Sequence, residues 1–347
     1  MFGVAEDHAS NPIKTGLCKL KKNGAKIVSI NPVKSGYSAI ADEWVGIRPG
    51  TDGLFVGALV HQLLKAGKID LDYLARYTNA GHLVIKDPGA EDDGLIARDR
   101  YGKILVLDAK SRKPVTLDKA DQVALHGEVK LPGKAKRMGV PSFQFVAERY
   151  LSDEYSAEKA ATHCGIEAAT IERIAGELAH AAFEQAFELD IAWTDTQGNK
   201  HDKMTGRPVS MHAMRGISAH SNGFHTCRSI HILQILLGTI DVPGGFLYKP
   251  PFPKAAPPGL KPAGKVGEVN PLKPLPGPPL GFVAGPEDLL VNEDGSPRRI
   301  DKAYSWDAPI AAHGLMHTVI TNAANKDPYG IDVLFMYMAN MGWNSTM

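Results

Sequence analysis

Residues 23–60, NGAKIVSINPVKSGYSAIADEWVGIRPGTDGLFVGALV, decide the fold. Apolar Ile27, Val28 and Ile30 run into Asn31-Pro32, where a proline ends the strand because it has no N–H and a fixed φ. Trp44 to Ile47 form a second extended segment, and Pro49-Gly50 makes a turn. Thr51 or Asp52 then caps a helix whose Val56, Leu59, Val60 and Leu63 fall at i, i+3, i+4, i+7. Two polar loops thus follow the carboxyl ends of neighbouring strands. In an open α/β sheet a nucleotide lies at that edge.

Outward from this stretch, Met1 to Val4 read as the end of a strand, and residues 10–22 as a helix with Asn11 at its N-cap and Pro12 in its first turn. Residues 1–31 make one β-α-β unit. Further helices are predicted over 52–66, 70–78, 153–163, 168–183, 224–237 and 308–325. The first of the pair after residue 150 would be capped by Ser152 or Asp153, and the last helix by Asp307. Residues 82–135 read as a surface β-hairpin insertion with a bend at Tyr101-Gly102-Lys103, and 189–194 as a strand. Residues 249–281 hold eleven of the 24 prolines, which favours an irregular connection over a docking arm. Asp332 to Asn340 read as a strand. With the chain beginning inside one strand and stopping just after another, the sequence reads as an internal piece of a longer protein.

The chain has 347 residues, 44% of them hydrophobic, with 39 basic and 38 acidic residues. Near-neutral charge gives no electrostatic reason to expect nucleic acid or an anionic membrane surface. Cys18, Cys164 and Cys227 are scattered, so neither a disulfide framework nor a self-contained zinc or iron–sulfur site is suggested. No apolar run is long enough to span a bilayer. His313 and His317 stand at i, i+4 without an evident third ligand, so an ordinary histidine pair is the better reading. His212, His220 and His225 are near in sequence but separated by glycines and a helix start.

The motif A-D-x-W-x-x-I-R-P-G-T-D, here Ala41 through Asp52, resembles the molybdopterin oxidoreductases of the dimethyl sulfoxide reductase family. Two more segments are similar: the helical pair Ala161 to Leu178, and the helix followed by Ile240 and Pro243-Gly244-Gly245. The resemblance is weakest at 82–150 and 249–305. It implies an α/β fold: a Rossmann-like parallel sheet with flanking helices, a β insertion, and the start of a second Rossmann-like domain. On that reading residues 1–215 bind a molybdopterin guanine dinucleotide and residues 216–347 return into the second domain.

Implied cofactor-binding residues fall in four loops. The first runs from Gly3 to Asn11, before a helix start whose amides suit a diphosphate. Its Glu6-Asp7 departs from the G-x-N of many members. The second is Asn31, Pro32, Val33, Lys34 and Ser35, where many members have Asp-Pro-Arg. The turn Gly50, Thr51 and Asp52 is the third; Asp52 can cap the helix, accept from a guanine edge, or both. The fourth holds His220, Asn222 and Gly223, with Ala219 where the family often has an amide or carboxylate. Asn340 matches an Asn of a family loop, and is equally a common turn residue.

Family membership further implies molybdenum on two molybdopterin guanine dinucleotides (bis-MGD), with an iron–sulfur cluster in a preceding region. Segments 5–8, 211–216 and 338–344 are most similar to proteins acting on sulfur oxyanions such as sulfite or thiosulfate: sulfite dehydrogenase and thiosulfate, polysulfide or tetrathionate reductases. Such proteins imply a ferredoxin-like iron–sulfur partner and a membrane anchor partner, at the cytoplasmic face of a membrane complex. No catalytic residue or metal ligand is identified, and the chain alone is expected to be inactive. Two other readings stand beside this one. A divergent nicotinamide or flavin dehydrogenase lacks its glycine fingerprint here, and a non-enzymatic partner-binding piece needs no cofactor.

Overall fold

A computed structural model describes residues 1–3, 13–34, 36–133, 137–213, 215–218, 220–247, 316–327 and 330–337. Its contacts divide the chain into a unit Met1–Tyr248 and a second unit Lys249–Met347.

The first unit is α/β. After α1 (Ile13–Lys22), the strands β1 (Val28–Ile30) and β2 (Glu43–Val45) pair parallel, with Val28 opposite Glu43 and Ile30 opposite Val45. Phe2 bridges Ile30 on the other side, and Ala213 bridges Phe2, both parallel. The Phe2 amide donates to the His212 carbonyl at 2.8 Å and the Ile30 amide to the Met1 carbonyl at 2.8 Å. α1 therefore spans the crossover that a parallel pair requires. Because all four members point the same way, Gly3, Asn31 and Gly46 leave the sheet by one edge. Asn11 and Pro12 lie outside the described residues.

The central helix is α2 (Asp52–Lys65), followed by α3 (Leu71–Tyr77). Phe55, Val56, Leu59, Val60 and Leu63 of α2 are all buried in the main core, each contributing about 1.5–3 kcal/mol. α3 opens at Asp70, whose carboxylate accepts from the Tyr73 amide at 2.9 Å.

The insertion is more than a surface hairpin. β3 (Leu83–Lys86), β6 (Val129–Lys130) and β7 (Met138–Pro141) form an antiparallel sheet in the order β3-β7-β6, and β4 (Leu105–Leu107) pairs β5 (Pro114–Thr116). Leu83, Ile85, Ala97, Leu105, Leu107 and Leu131 bury a separate small core. Asp99 holds the expected bend, accepting from the Tyr101 and Lys103 amides at 2.8 and 2.9 Å.

α4 (Ser142–Tyr150) follows β7 directly, then come α5 (Ala157–Cys164) and α6 (Ala168–Ala179). The cap of α5 is Ser156, not Ser152 or Asp153; Ser152 instead precedes, and Asp153 opens, a 3-10 turn at Asp153–Tyr155. Gly165, at φ 72°, ends α5 in the left-handed region. The strand expected over 189–194 is interrupted. β8 (Phe187–Leu189) and β9 (Trp193–Thr194) pair antiparallel with β11 (Met204–Gly206) and β10 (Lys200–His201) respectively. α7 (Arg215–Ser218) and α8 (Gly223–Leu236) complete the unit, and Gly238 at φ 63° stops α8 as expected.

In the second unit α9 (Met316–Asn325) is described, whereas Asp307 and the Pro-rich run 249–281 lie outside the described residues. The strand expected over 332–340 does not form across 332–337, where no ladder pairs the backbone and Val333, Leu334, Phe335 and Tyr337 are exposed. An extended segment becomes a strand only when a neighbour takes its N–H and C=O groups. Among the described residues no helix is long and apolar enough to cross a membrane.

Candidate functional site

The turn between β2 and α2 is pinned from beneath by α5. Two adjacent carbonyls at the carboxyl end of α5, Thr162 and His163, accept from the Arg48 guanidinium at 3.0 and 3.3 Å, and the Arg48 amide donates to the Cys164 carbonyl at 2.9 Å. The last carbonyls of a helix have no partner of their own, so this side chain satisfies them. Gly165 makes room for it: a Cβ there would stand 3.0 Å from the Arg48 Nε. The amide and hydroxyl of Thr51 both donate to the Arg48 carbonyl, at 3.3 and 2.7 Å, and the Cys164 thiol donates to the Thr51 carbonyl at 3.7 Å.

Thr51 thus occupies the N-cap position of α2, but its hydroxyl turns back onto Arg48 rather than onto the helix amides. Asp52 is the first helical residue and is buried, with only 6% of its surface exposed. Burial pushes its carboxyl above the usual carboxylate range, partly offset by its own amide and the nearby His220.

A second helix start closes on the same turn. Asn222, immediately before α8, donates from Nδ2 to the Gly50 carbonyl at 3.0 Å. His220 Nδ1 is 3.7 Å from where a Cβ on Gly50 would stand, and Gly50 itself has φ 80°. Gly223 is required by close approach, because a Cβ there would lie 2.3 Å from the Ser218 carbonyl oxygen of α7. The amino ends of α2 and α8 are therefore tied together, and both present unpaired amides and positive dipole ends.

Six of the sequence-predicted residues, Gly50, Thr51, Asp52, His220, Asn222 and Gly223, are brought together in this way. Gly3 and Asn31 stand at the carboxyl ends of adjacent parallel members. The Gly3 amide donates to the Ile30 carbonyl at 3.2 Å, and the Asn31 carbonyl accepts from the Trp44 indole at 2.9 Å. Pro32, Val33 and Lys34 form an exposed loop after β1. Asn11, Ser35 and Asn340 lie outside the described residues, as do His313 and the side chain of His317. Among the described residues no group of three His, Cys, Asp or Glu could hold a metal ion. The sequence reading passed over Arg48, although the motif contains it, and Cys164. Neither spacing nor residue type announces a contact made across more than 110 positions.

No family model matches the chain. Among curated proteins, a sulfite dehydrogenase subunit of Allochromatium vinosum is 46% identical across 100% of this chain and 36% of its own length. The formate dehydrogenase-O major subunit of Escherichia coli is 26% identical over 64% of the chain and 19% of its own length. A putative catalytic subunit of dimethyl sulfoxide reductase from Halobacterium salinarum is 30% identical over 46% of the chain and 19% of its own length. The chain thus spans about a third of the first relative and about a fifth of the other two. With the Ala41–Asp52 motif folded as a strand, turn and helix start, and relatives of this one kind aligned to it, the chain belongs to the dimethyl sulfoxide reductase family, whose members carry molybdenum on a molybdopterin cofactor.

Proposed function

We propose that this chain supplies dinucleotide-binding loops to a molybdenum-dependent oxidoreductase that acts on a sulfur oxyanion, with sulfite as the first candidate. The observation that carries the reading is the tie from Asn222 to Gly50, which sets Asp52 and two helix amino ends side by side. A desolvated carboxylate fits a guanine edge, whose N1–H and exocyclic amine present two adjacent donors. Helix amino ends fit a diphosphate. The residues present therefore suit the guanosine end of a molybdopterin guanine dinucleotide, and the reading extends to a bis-MGD centre. Bound molybdenum supplies two-electron redox chemistry. The chain's share is to bind, orient and exclude water: Arg48 and Cys164 hold the turn, Asp52 receives the base, and Asn222 keeps α8 against it. Identity to part of a sulfite dehydrogenase supports the substrate class. That relative is named as one component of a larger enzyme; a ferredoxin-like iron–sulfur partner, a membrane anchor and a position at the cytoplasmic face belong to this proposal.

The test is guanine nucleotide binding. GDP titrated calorimetrically into the chain should bind, and Asp52→Asn should weaken it by about 1–3 kcal/mol, the range of a lost bidentate base contact. Equal affinity of wild type and variant would remove Asp52 from the site.

A further inference from the structure

Beside the tied helix ends lies a cavity of about 580 Å³, between the amino ends of α2 and α8 and the carboxyl end of α4. Arg149, His225 and Arg228 line it together with Tyr150, Tyr155 and Asn222, and no carboxylate is among its lining residues. Among the described residues neither arginine has an acidic partner. Burial pushes the Tyr150 hydroxyl up, and both guanidiniums pull it the other way. The Arg149 guanidinium also lies 6.0 Å from the centre of the Tyr155 ring, and Tyr155 packs against Tyr150 with ring centres 5.0 Å apart. Gly57 of α2 seats that ring, since a Cβ there would fall 2.4 Å from it.

Arg149, His225 and Arg228 are all exposed, and no carboxylate among the described residues pairs with either arginine. An anion would complement them. Guanidinium forks match the paired oxygens of phosphate and related oxyanions, and the amino ends of α2 and α8, represented in the lining by Gly53 and Asn222, add favourable field of the same sign. Asp52 is not part of this lining, so the cavity is chemically distinct from the carboxylate beside it.

We infer that the cavity between α2, α4 and α8 is an oxyanion-binding site in which Arg149, Arg228 and His225 hold a phosphate-type or sulfur oxyanion. Its ligand is either the phosphate portion of a dinucleotide or a free oxyanion on its way to the reaction. Both sources rest on the function proposed above, the first on its cofactor and the second on its substrate class; the binding of an oxyanion as such does not.

Pyrophosphate, sulfite and GDP are titrated separately into the 347-residue chain at fixed ionic strength. The same titrations are run on the Arg149→Gln/Arg228→Gln double variant and on Lys110→Gln/Lys200→Gln, which removes equal charge from exposed positions elsewhere. Circular dichroism verifies the fold of each. Pyrophosphate should bind the wild type and the lysine variant alike, and at least tenfold more weakly the arginine variant. Sulfite binding with the same arginine dependence identifies a free oxyanion as ligand; dependence seen with pyrophosphate and GDP alone identifies the dinucleotide. No pyrophosphate or sulfite binding, or equal losses in the two double variants, overturns the site. Should Asp52→Asn leave GDP affinity unchanged while the arginine dependence persists, the guanine reading fails and the oxyanion site stands.

Discussion

Asp52 bears a charge where charge is costly. Its carboxyl is raised above the unfolded value, so the native state holds a proton more tightly than the unfolded chain does. Its contribution to stability is then most favourable below about pH 3.9, the ordinary Asp value, and declines as pH rises through the folded value. Asp52→Asn should accordingly leave the ligand-free chain at least as stable at pH 7, while weakening GDP. Urea denaturation of both proteins checks this, and a clear loss of stability would show that the carboxylate has a structural partner instead. Arg48 behaves in the opposite sense. Arg48→Ala abandons two helix-end carbonyls and should cost about 1–2 kcal/mol, with a parallel drop in GDP affinity because the turn that positions Asp52 comes loose. Of these two residues the sequence disclosed the first. A carboxylate after a Pro-Gly turn is a local pattern, whereas the partners of Arg48 are fixed only by tertiary packing.

At the scale of elements, strong periodicity was legible and weak pairing was not. α2, α3, α6 and α8 follow from apolar spacing and punctuation by glycine. α4 carries the same signal, with Phe143, Val146 and Tyr150 at i, i+3, i+7, but lies in the shadow of the insertion before it. The hairpins of β8 to β11 rest on strands of two or three residues, too short to show alternation. The insertion owes part of its order to Asp108, which accepts from the amides of Ser111, Asp121 and Gln122 at 2.7, 3.1 and 3.3 Å. These bonds hold its carboxyl down at about 2. The stabilisation is fully present above about pH 3.9 and is lost as pH falls through about 2. Hydrogen exchange between pH 4 and 2 should show the amides of Ala109 and Ala124 losing protection relative to those of α2, and Asp108→Asn should abolish that pH dependence. At the junction of α7 and α8, Gly223→Ala places a methyl group against a carbonyl oxygen and should destabilise by about 1–3 kcal/mol; a melting temperature unchanged from wild type would mean that α7 yields freely.

Across the whole molecule, the four-member parallel strip is slight, yet it decides which edge the loops share. The sequence reading found that edge because Asn31 and Gly50 each follow a strand. It named His220, Asn222 and Gly223 as a loop of the site but not their contact with the first turn, for no local rule says that residue 222 returns to residue 50. That return, the bond from Asn222 to Gly50, spans 172 positions. Contacts so distant in sequence are the slow ones, since a large loop must close before they form. During refolding, guanine nucleotide binding should therefore lag behind the far-ultraviolet signal of the helices, and a stopped-flow comparison of the two would time the interval. In a growing polypeptide the same separation sets an order of events. On the proposed function, no binding-competent turn forms until Gly223 has emerged from the ribosome, so loading of the site follows the synthesis of this region and does not guide the folding of its beginning.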